Sequence, residues 1–250
     1  MHKLLKFEFL KLKYSRGFKV MVLLSVIFGF GSSGISSLLS QGEIIYGYEA
    51  FFQQFMELRS LIFVFAGVLS GLFIGEDFSC RSVQSEISSG YSRFSVLLSK
   101  TIVYMIGICI LILIQVLIVT LASTFVNGFG IPMTAEALGN MLRALLMFMF
   151  LTCACSMVYV MTAFRFKNVG TTIAVNMLLL VVIDGLFQVG AMISDTGLKI
   201  YEVTPFVQML LSTSEVISSG QLFKAVSIGA GTSLLFFLLA HGLFYRTELK

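Results

Sequence analysis

Thr101–Val126, TIVYMIGICILILIQVLIVTLASTFV, runs for 26 residues without a charged side chain. As a helix it would measure about 39 Å at 1.5 Å per residue, more than the ~30 Å hydrocarbon layer of a bilayer. A soluble amphipathic helix keeps one face polar, and this stretch has no such face. It reads as a membrane span. Stretches of the same character recur at Val20–Leu39, Met56–Gly75, Met141–Phe164, Val169–Val189 and Ala225–Tyr245, which predicts six spans. The Met56–Gly75 span is the least apolar at its start, where Glu57 and Arg59 occupy the first turn.

Composition agrees with that reading. The 250 residues are 57% hydrophobic and 12% charged, about half the charged fraction of a soluble domain, and the mean hydropathy is +0.96. One water-soluble core of this size cannot hide so much apolar surface. The expected fold class is an all-α integral membrane protein, one transmembrane domain over residues 1–250.

Lysine and arginine give the orientation, because basic loops stay in the cytosol. With the N-terminus inside, 13 of the 17 basic residues fall on the cytosolic side, leaving Arg59, Arg143, Lys199 and Lys224 outside. Both termini are then cytosolic. Residues 1–19 precede the first span and carry Lys3, Lys6 and Lys13 on one helical face and Leu5, Phe9 and Leu12 on another, the pattern of a helix lying in the membrane interface. A signal peptide has a shorter basic region; the alternative reading is a solvated basic tail. Tyr14, Tyr91 and Tyr104 near the inner boundary and Tyr46, Tyr48 and Tyr201 near the outer one can supply the interfacial belt in a chain without tryptophan.

Small residues recur every fourth position in three spans: Ser25, Gly29, Ser33 and Ser37; Gly67, Gly71 and Gly75; Ala225, Gly229 and Ser233. Such faces let helices approach closely in lipid and predict a compact bundle.

The formal net charge of +4 is scattered between apolar runs, so no basic face suited to nucleic acid forms. Catalytic signatures are missing: there is no glycine loop ending in Gly-Lys-Ser/Thr, and the two histidines, His2 and His241, stand at opposite ends of the chain. Cys80, Cys109, Cys153 and Cys155 make no extracellular disulfide framework, and Cys153 and Cys155, two apart on a helix, point too far apart to grip one metal ion. Asp184 is the acid expected deep inside a span, with Asn176 and Gln188 on a similar face. It serves either as interhelical glue or as a contact for a substrate or ion.

The second cytosolic segment, residues 76–100, reads EDFSCRSVQSEISSGYSRFSVLLSK. An acidic residue ends a span, a polar helix-compatible stretch follows, Gly90 breaks it, and Ser92-Arg93 precedes Lys100 at the start of the next span. This resembles the signature of ABC-2 type permeases. The basic amphipathic stretch Phe7-Glu8-Phe9-Leu10-Lys11-Leu12-Lys13 resembles that family's elbow helix, and Thr204-Pro205-Phe206 lies in a long outer segment, residues 191–224, where the family places short re-entrant or extracellular helices; Phe206–Leu211 is apolar enough to dip into the membrane. Within the family the chain looks most like the Gram-positive permeases that protect against lantibiotics and other antimicrobial peptides.

The resemblance implies a bacterial cell-membrane exporter subunit paired with a second permease subunit, identical or not. It binds no cofactor itself: ATP and Mg2+ are held by a separate cytosolic ATPase docked on the 76–100 coupling segment through Glu76, Asp77, Arg81, Glu86 and Arg93. Glu76 has a second expected role, bracing the fold by binding Arg93 or Lys100. Two other classes fit the same residues: a non-transporting membrane immunity or assembly protein, and an ion-coupled secondary transporter using Asp184.

Overall fold

The computed structural model describes residues 1–39, 45–194, 199, 201–215 and 217–246; the side chains of 33–39, 183, 184, 186–188, 190–192 and 246 are not among those described. Among the described residues the secondary structure is helical throughout.

The apolar runs become long helices. α1 (His2–Tyr14) is followed by α2 (Arg16–Leu39), and the pair bends by 57°. Ser15 makes the corner with extended backbone, ψ 127, its N–H donating back to Lys11 and Leu12 while its Oγ accepts from Phe18 N at 3.4 Å, so one residue closes α1 and caps α2. α3 (Gly47–Ser79) is longer at both ends than the expected Met56–Gly75. Its start is drawn out because Tyr46 N–H donates to Glu49 Oε2 at 3.4 Å and the Gly47 and Tyr48 amides are taken by the Gly128 and Phe129 carbonyls. Near its other end Gly71–Gly75 form one π-helical turn.

α4 (Ser82–Ser88) is a two-turn helix that Gly90 closes at φ 92, as the glycine in the sequence suggests. α5 (Arg93–Asn127) starts at the Ser92 cap, where Ser92 Oγ accepts from Ser95 N at 3.2 Å, and ends at Gly128, φ 84. α6 (Ala135–Phe166) has the matching Thr134 cap on Ala137 N, 3.2 Å. Only Lys167 and Asn168 separate it from α7 (Val169–Ile193), with Lys167 in the left-handed region at φ 54. α8 (Pro205–Ser212) is short, and α9 (Ser219–Arg246) closes the bundle.

Four of these helices, α3, α5, α6 and α9, are long and apolar enough to cross a membrane; the bent α1–α2 pair makes a fifth if counted as one span, and the described apolar part of α7 is Val169–Val182. The chain is thus a multi-pass membrane protein by its helices. α3 is the most buried of the four and α9 the least. α3 packs on α5, α6 and α7; α2 packs on α5; α9 and α8 pack on α6. Helix direction alternates through the bundle, so α1, α4 and the C-terminal end of α9 share one end, where Arg93 Nη1 donates to the Phe244 and Tyr245 carbonyls at 3.0 and 2.7 Å.

Glycines of the small-residue ladders sit at helix crossings; the side chains of Ser33 and Ser37 in the first ladder lie outside the described ones. A Cβ on Gly29 would stand 2.9 Å from Ile118 of α5, one on Gly71 2.5 Å from Ile173 of α7, and one on Gly229 2.6 Å from Phe150 of α6. Without a hydrophobic force between helices in lipid, this close approach supplies van der Waals attraction. Phe206–Leu211 lies within α8, where Gln208, Met209 and Ser212 are buried and Phe206 meets Phe63 at 5.1 Å between ring centres.

Candidate functional site

Five charged side chains from four helices converge at the end of the bundle that holds α1 and α4. Lys100, fully buried near the start of α5, donates from Nζ to Asp77 Oδ2 at 2.5 Å, to Glu86 Oε1 at 3.0 Å and to Glu8 Oε1. Lys11 of α1 takes the other oxygen of Asp77 and the Phe73 carbonyl, 3.3 Å away, and lies 4.8 Å from the Phe73 ring centre. One ammonium therefore ties α1, α3 and α4 to α5.

Each helix contributes its charge for a local reason. On α1 the buried stripe is Leu4, Glu8 and Leu12, at four-residue spacing, so the face turned inward is offset from the expected Leu5, Phe9 and Leu12 face; Phe9 is exposed. On α3 the π-helical turn decides which acid is used. A π turn carries one extra residue, and one residue is about 100° of helix rotation. Glu76 N–H donates to Gly71 O, five residues back, and past that turn residue 77 holds the azimuth that residue 76 would hold in an unbroken α-helix. Asp77, not Glu76, therefore meets Lys100. Glu76 stays exposed beside a cavity of about 520 Å3 that also touches Lys11 and Arg16.

The cluster has three carboxyl groups and two ammonium groups. Burial, reinforced by Glu8 and Asp77 and opposed by Lys100, pushes the Glu86 carboxyl up to about 7. Glu8 Oε2 and Glu86 Oε2 are buried without a hydrogen-bond partner, consistent with an excess of carboxylate over donors. Glu8, Asp77 and Glu86 lie close enough to hold a metal ion, but the Lys100 ammonium already bonds to all three, and it supplies the positive charge that a cation would bring.

The residues expected to face a cytosolic partner separate into two groups. Asp77 and Glu86 are buried in the cluster and turned away from solvent, a correction to the expectation that the helix carrying them presents them outward. That single helix is also broken: Asp77 belongs to the end of α3, and Arg81, left-handed at φ 56, starts α4. Glu76 and Arg81 are exposed together with Ser85 and Ser88. Arg93 bonds to the end of α9, and Lys100 to Glu8, Asp77 and Glu86.

Asn176 is fully buried and connects three helices. Its Nδ2 donates to Gly67 O at 3.2 Å and Ser70 Oγ at 2.7 Å on α3, and its Oδ1 accepts from Thr162 of α6 at 2.5 Å. Both polar groups of its amide are thus engaged between helices. Asp184 falls within α7, but its side chain and that of Gln188 lie outside the described residues.

A second polar feature, unmarked by any sequence motif, opens between α2, α3 and α5. A groove of about 420 Å3 has apolar walls from Phe28, Leu61 and Val64 and polar groups from Ser32, Glu57, Ser60 and Gln115. Gln115 is buried and its Oε1 has no hydrogen-bond partner. Because α3 begins at Gly47, Glu57 sits about 15 Å along the helix instead of in its first turn. The available signal was a carboxylate inside a long apolar helix, hidden by placing the start of that helix too late.

The chain matches no protein-family model, and no curated protein matches it.

Proposed function

We propose that this chain is the permease subunit of an ABC-2 type exporter: six spans, both termini cytosolic, moving a hydrophobic or amphipathic substrate with energy from ATPase subunits on separate chains, and pairing with a second permease subunit. The six spans are α2, α3, α5, α6, α7 and α9, with α1 as the interfacial elbow. The observation that carries the reading is the Lys100 cluster. A short helix between two spans is bonded through one buried ammonium to α1, α3 and α5, so a push on α4 moves three helices instead of bending a loop.

In this reading the surface offered to the ATPase is Glu76, Arg81, Ser85 and Ser88, and Asp77 and Glu86 act behind it as the anchor. The groove holding Glu57 and Gln115 suits an amphipathic substrate, since its apolar walls enclose acceptors for hydrogen-bond donors.

The test is tagged purification from its native membrane after mild crosslinking, followed by ATP hydrolysis measurements on the recovered assembly in proteoliposomes. The reading expects an ATPase chain to co-purify, and expects Arg81→Glu to weaken its retention at least tenfold while the permease remains folded. Recovery of the chain without any ATPase, with Arg81→Glu indistinguishable from wild type, would instead favour a non-transporting membrane protein.

A further inference from the structure

We propose that the elbow between α1 and α2 is a binding site for one anionic glycerophospholipid, with an acyl chain in a slot between Phe9, Phe18, Val22 and Ile110 and the phosphate held by Lys13 and Lys19. The inference starts from the bend. Lys13 and Lys19 are on different helices, and the 57° turn at Ser15 brings both ammonium groups to the ring of Tyr14, 5.9 and 5.7 Å from its centre. Both side chains are exposed, and neither makes an ion pair among the described residues. Two like charges gathered at one ring repel, and an anion seated between them removes that repulsion.

The same two lysines stand at a cavity of about 240 Å3 whose other walls are almost wholly apolar. No acid lines it. The neighbouring cavity at the elbow sets Lys11 and Arg16 against Glu76 and Asp77, so its charges balance, whereas the apolar slot carries two lysines and no acid. Phe9 and Phe18 come from the two arms of the elbow and Ile110 from α5, so the slot exists only in the bent arrangement. An apolar slot with a cationic rim, beside a helix that reads as interfacial, matches a lipid with a negative headgroup better than a soluble anion, which has nothing to place against Phe18 and Val22. The site stands independently of any ATPase partner, so its failure would leave the transport reading untouched.

The full chain, purified in mild detergent, would be titrated with phosphatidylglycerol or phosphatidylcholine of the same chain length and examined by native mass spectrometry. One retained phosphatidylglycerol per chain is expected, with at least a tenfold preference over phosphatidylcholine. Lys13→Gln with Lys19→Gln should abolish the preference, whereas Lys3→Gln with Lys6→Gln, which removes the same charge elsewhere on α1, should preserve it. Val22→Phe, which fills the slot, should lower retention of the lipid at least fivefold, and glycerol 1-phosphate should not compete. Equal losses from the two lysine pairs, no preference in the wild type, or full competition by glycerol 1-phosphate would overturn the proposal. The first would reduce it to general surface attraction, the second would remove any role for the headgroup charge, and the third would leave a phosphate site without a lipid.

Discussion

Lys100 Nζ lies 2.5 Å from Asp77 Oδ2, joining the start of α5 to the last turn of α3 with both side chains removed from solvent. They stand 23 positions apart in the chain, and α4 is held between the two ends of that contact by Glu86. Desolvating such charges is costly, so the pairing is weak evidence for net stability; what it does firmly is penalise any arrangement that separates the partners.

Replacing Lys100 by Met leaves Glu8, Asp77 and Glu86 buried without their shared cation. A loss of about 3–5 kcal/mol is expected, measured by denaturant unfolding in detergent micelles. Adding Glu8→Gln and Asp77→Asn to Lys100→Met should recover most of that loss, because Glu86 is then the one carboxyl of the three left without Lys100. Failure of the triple variant to recover would show that Lys100 acts through packing alone.

Glu86 titrates near 7 in the folded chain against about 4.5 for the free side chain. Between those values the folded state holds a proton that the unfolded state has released, so stability falls as pH rises through this window and levels off above it. The melting temperature in detergent should therefore drop between pH 5 and pH 7.5. Glu86→Gln should flatten that part of the profile, since glutamine keeps the shape and cannot ionise.

Asn176→Ala removes the link between α3, α6 and α7. Ser70 and Thr162 keep their own bonds to the Gly67 and Tyr159 carbonyls, so no hydroxyl is left wholly unpaired, and the expected cost is about 1–2 kcal/mol. Unfolding measurements in detergent check the size, and a loss of function without a loss of stability would place Asn176 in the transport path instead.

Gly71→Ala should damage the bundle where Gly31→Ala does not. The new methyl at 71 would meet Ile173 at 2.5 Å and the Val169 carbonyl oxygen at 3.2 Å, and that oxygen belongs to the backbone of α7, whereas a methyl at 31 has nothing within 4 Å. Overpacking of this kind typically costs about 1–3 kcal/mol. Thermal unfolding of the two variants side by side measures the contrast.

The proposed six-span topology predicts opposite labelling at the two ends of the bundle. In a background without Cys80, the exposed free thiol, a cysteine at Ser214 should react with an impermeant maleimide on intact cells, and one at Ser88 only after lysis. Labelling of Ser88 from outside would reverse the orientation.

By itself the sequence determined that this is a helical membrane protein, because uncharged runs such as Thr101–Val126 admit no other state: their backbone groups must be satisfied within the helix and their side chains must leave water. It also marked where helices cross closely, since Gly29, Gly71 and Gly229 have no side chain to hold neighbours apart, and it placed the break at Gly90. Only the tertiary structure decided which charges meet. Residue 8 is 92 positions from residue 100, residues 77, 86 and 100 fall on three different helices, and local periodicity carries no information on contacts between separate helices. The choice between Glu76 and Asp77 turns on one π-helical turn, an extra residue that rotates everything after it by about 100°. No composition or spacing rule records that turn, because its energy is set by how Gly71 and Gly75 fit against α7 and by the buried ammonium waiting at Lys100.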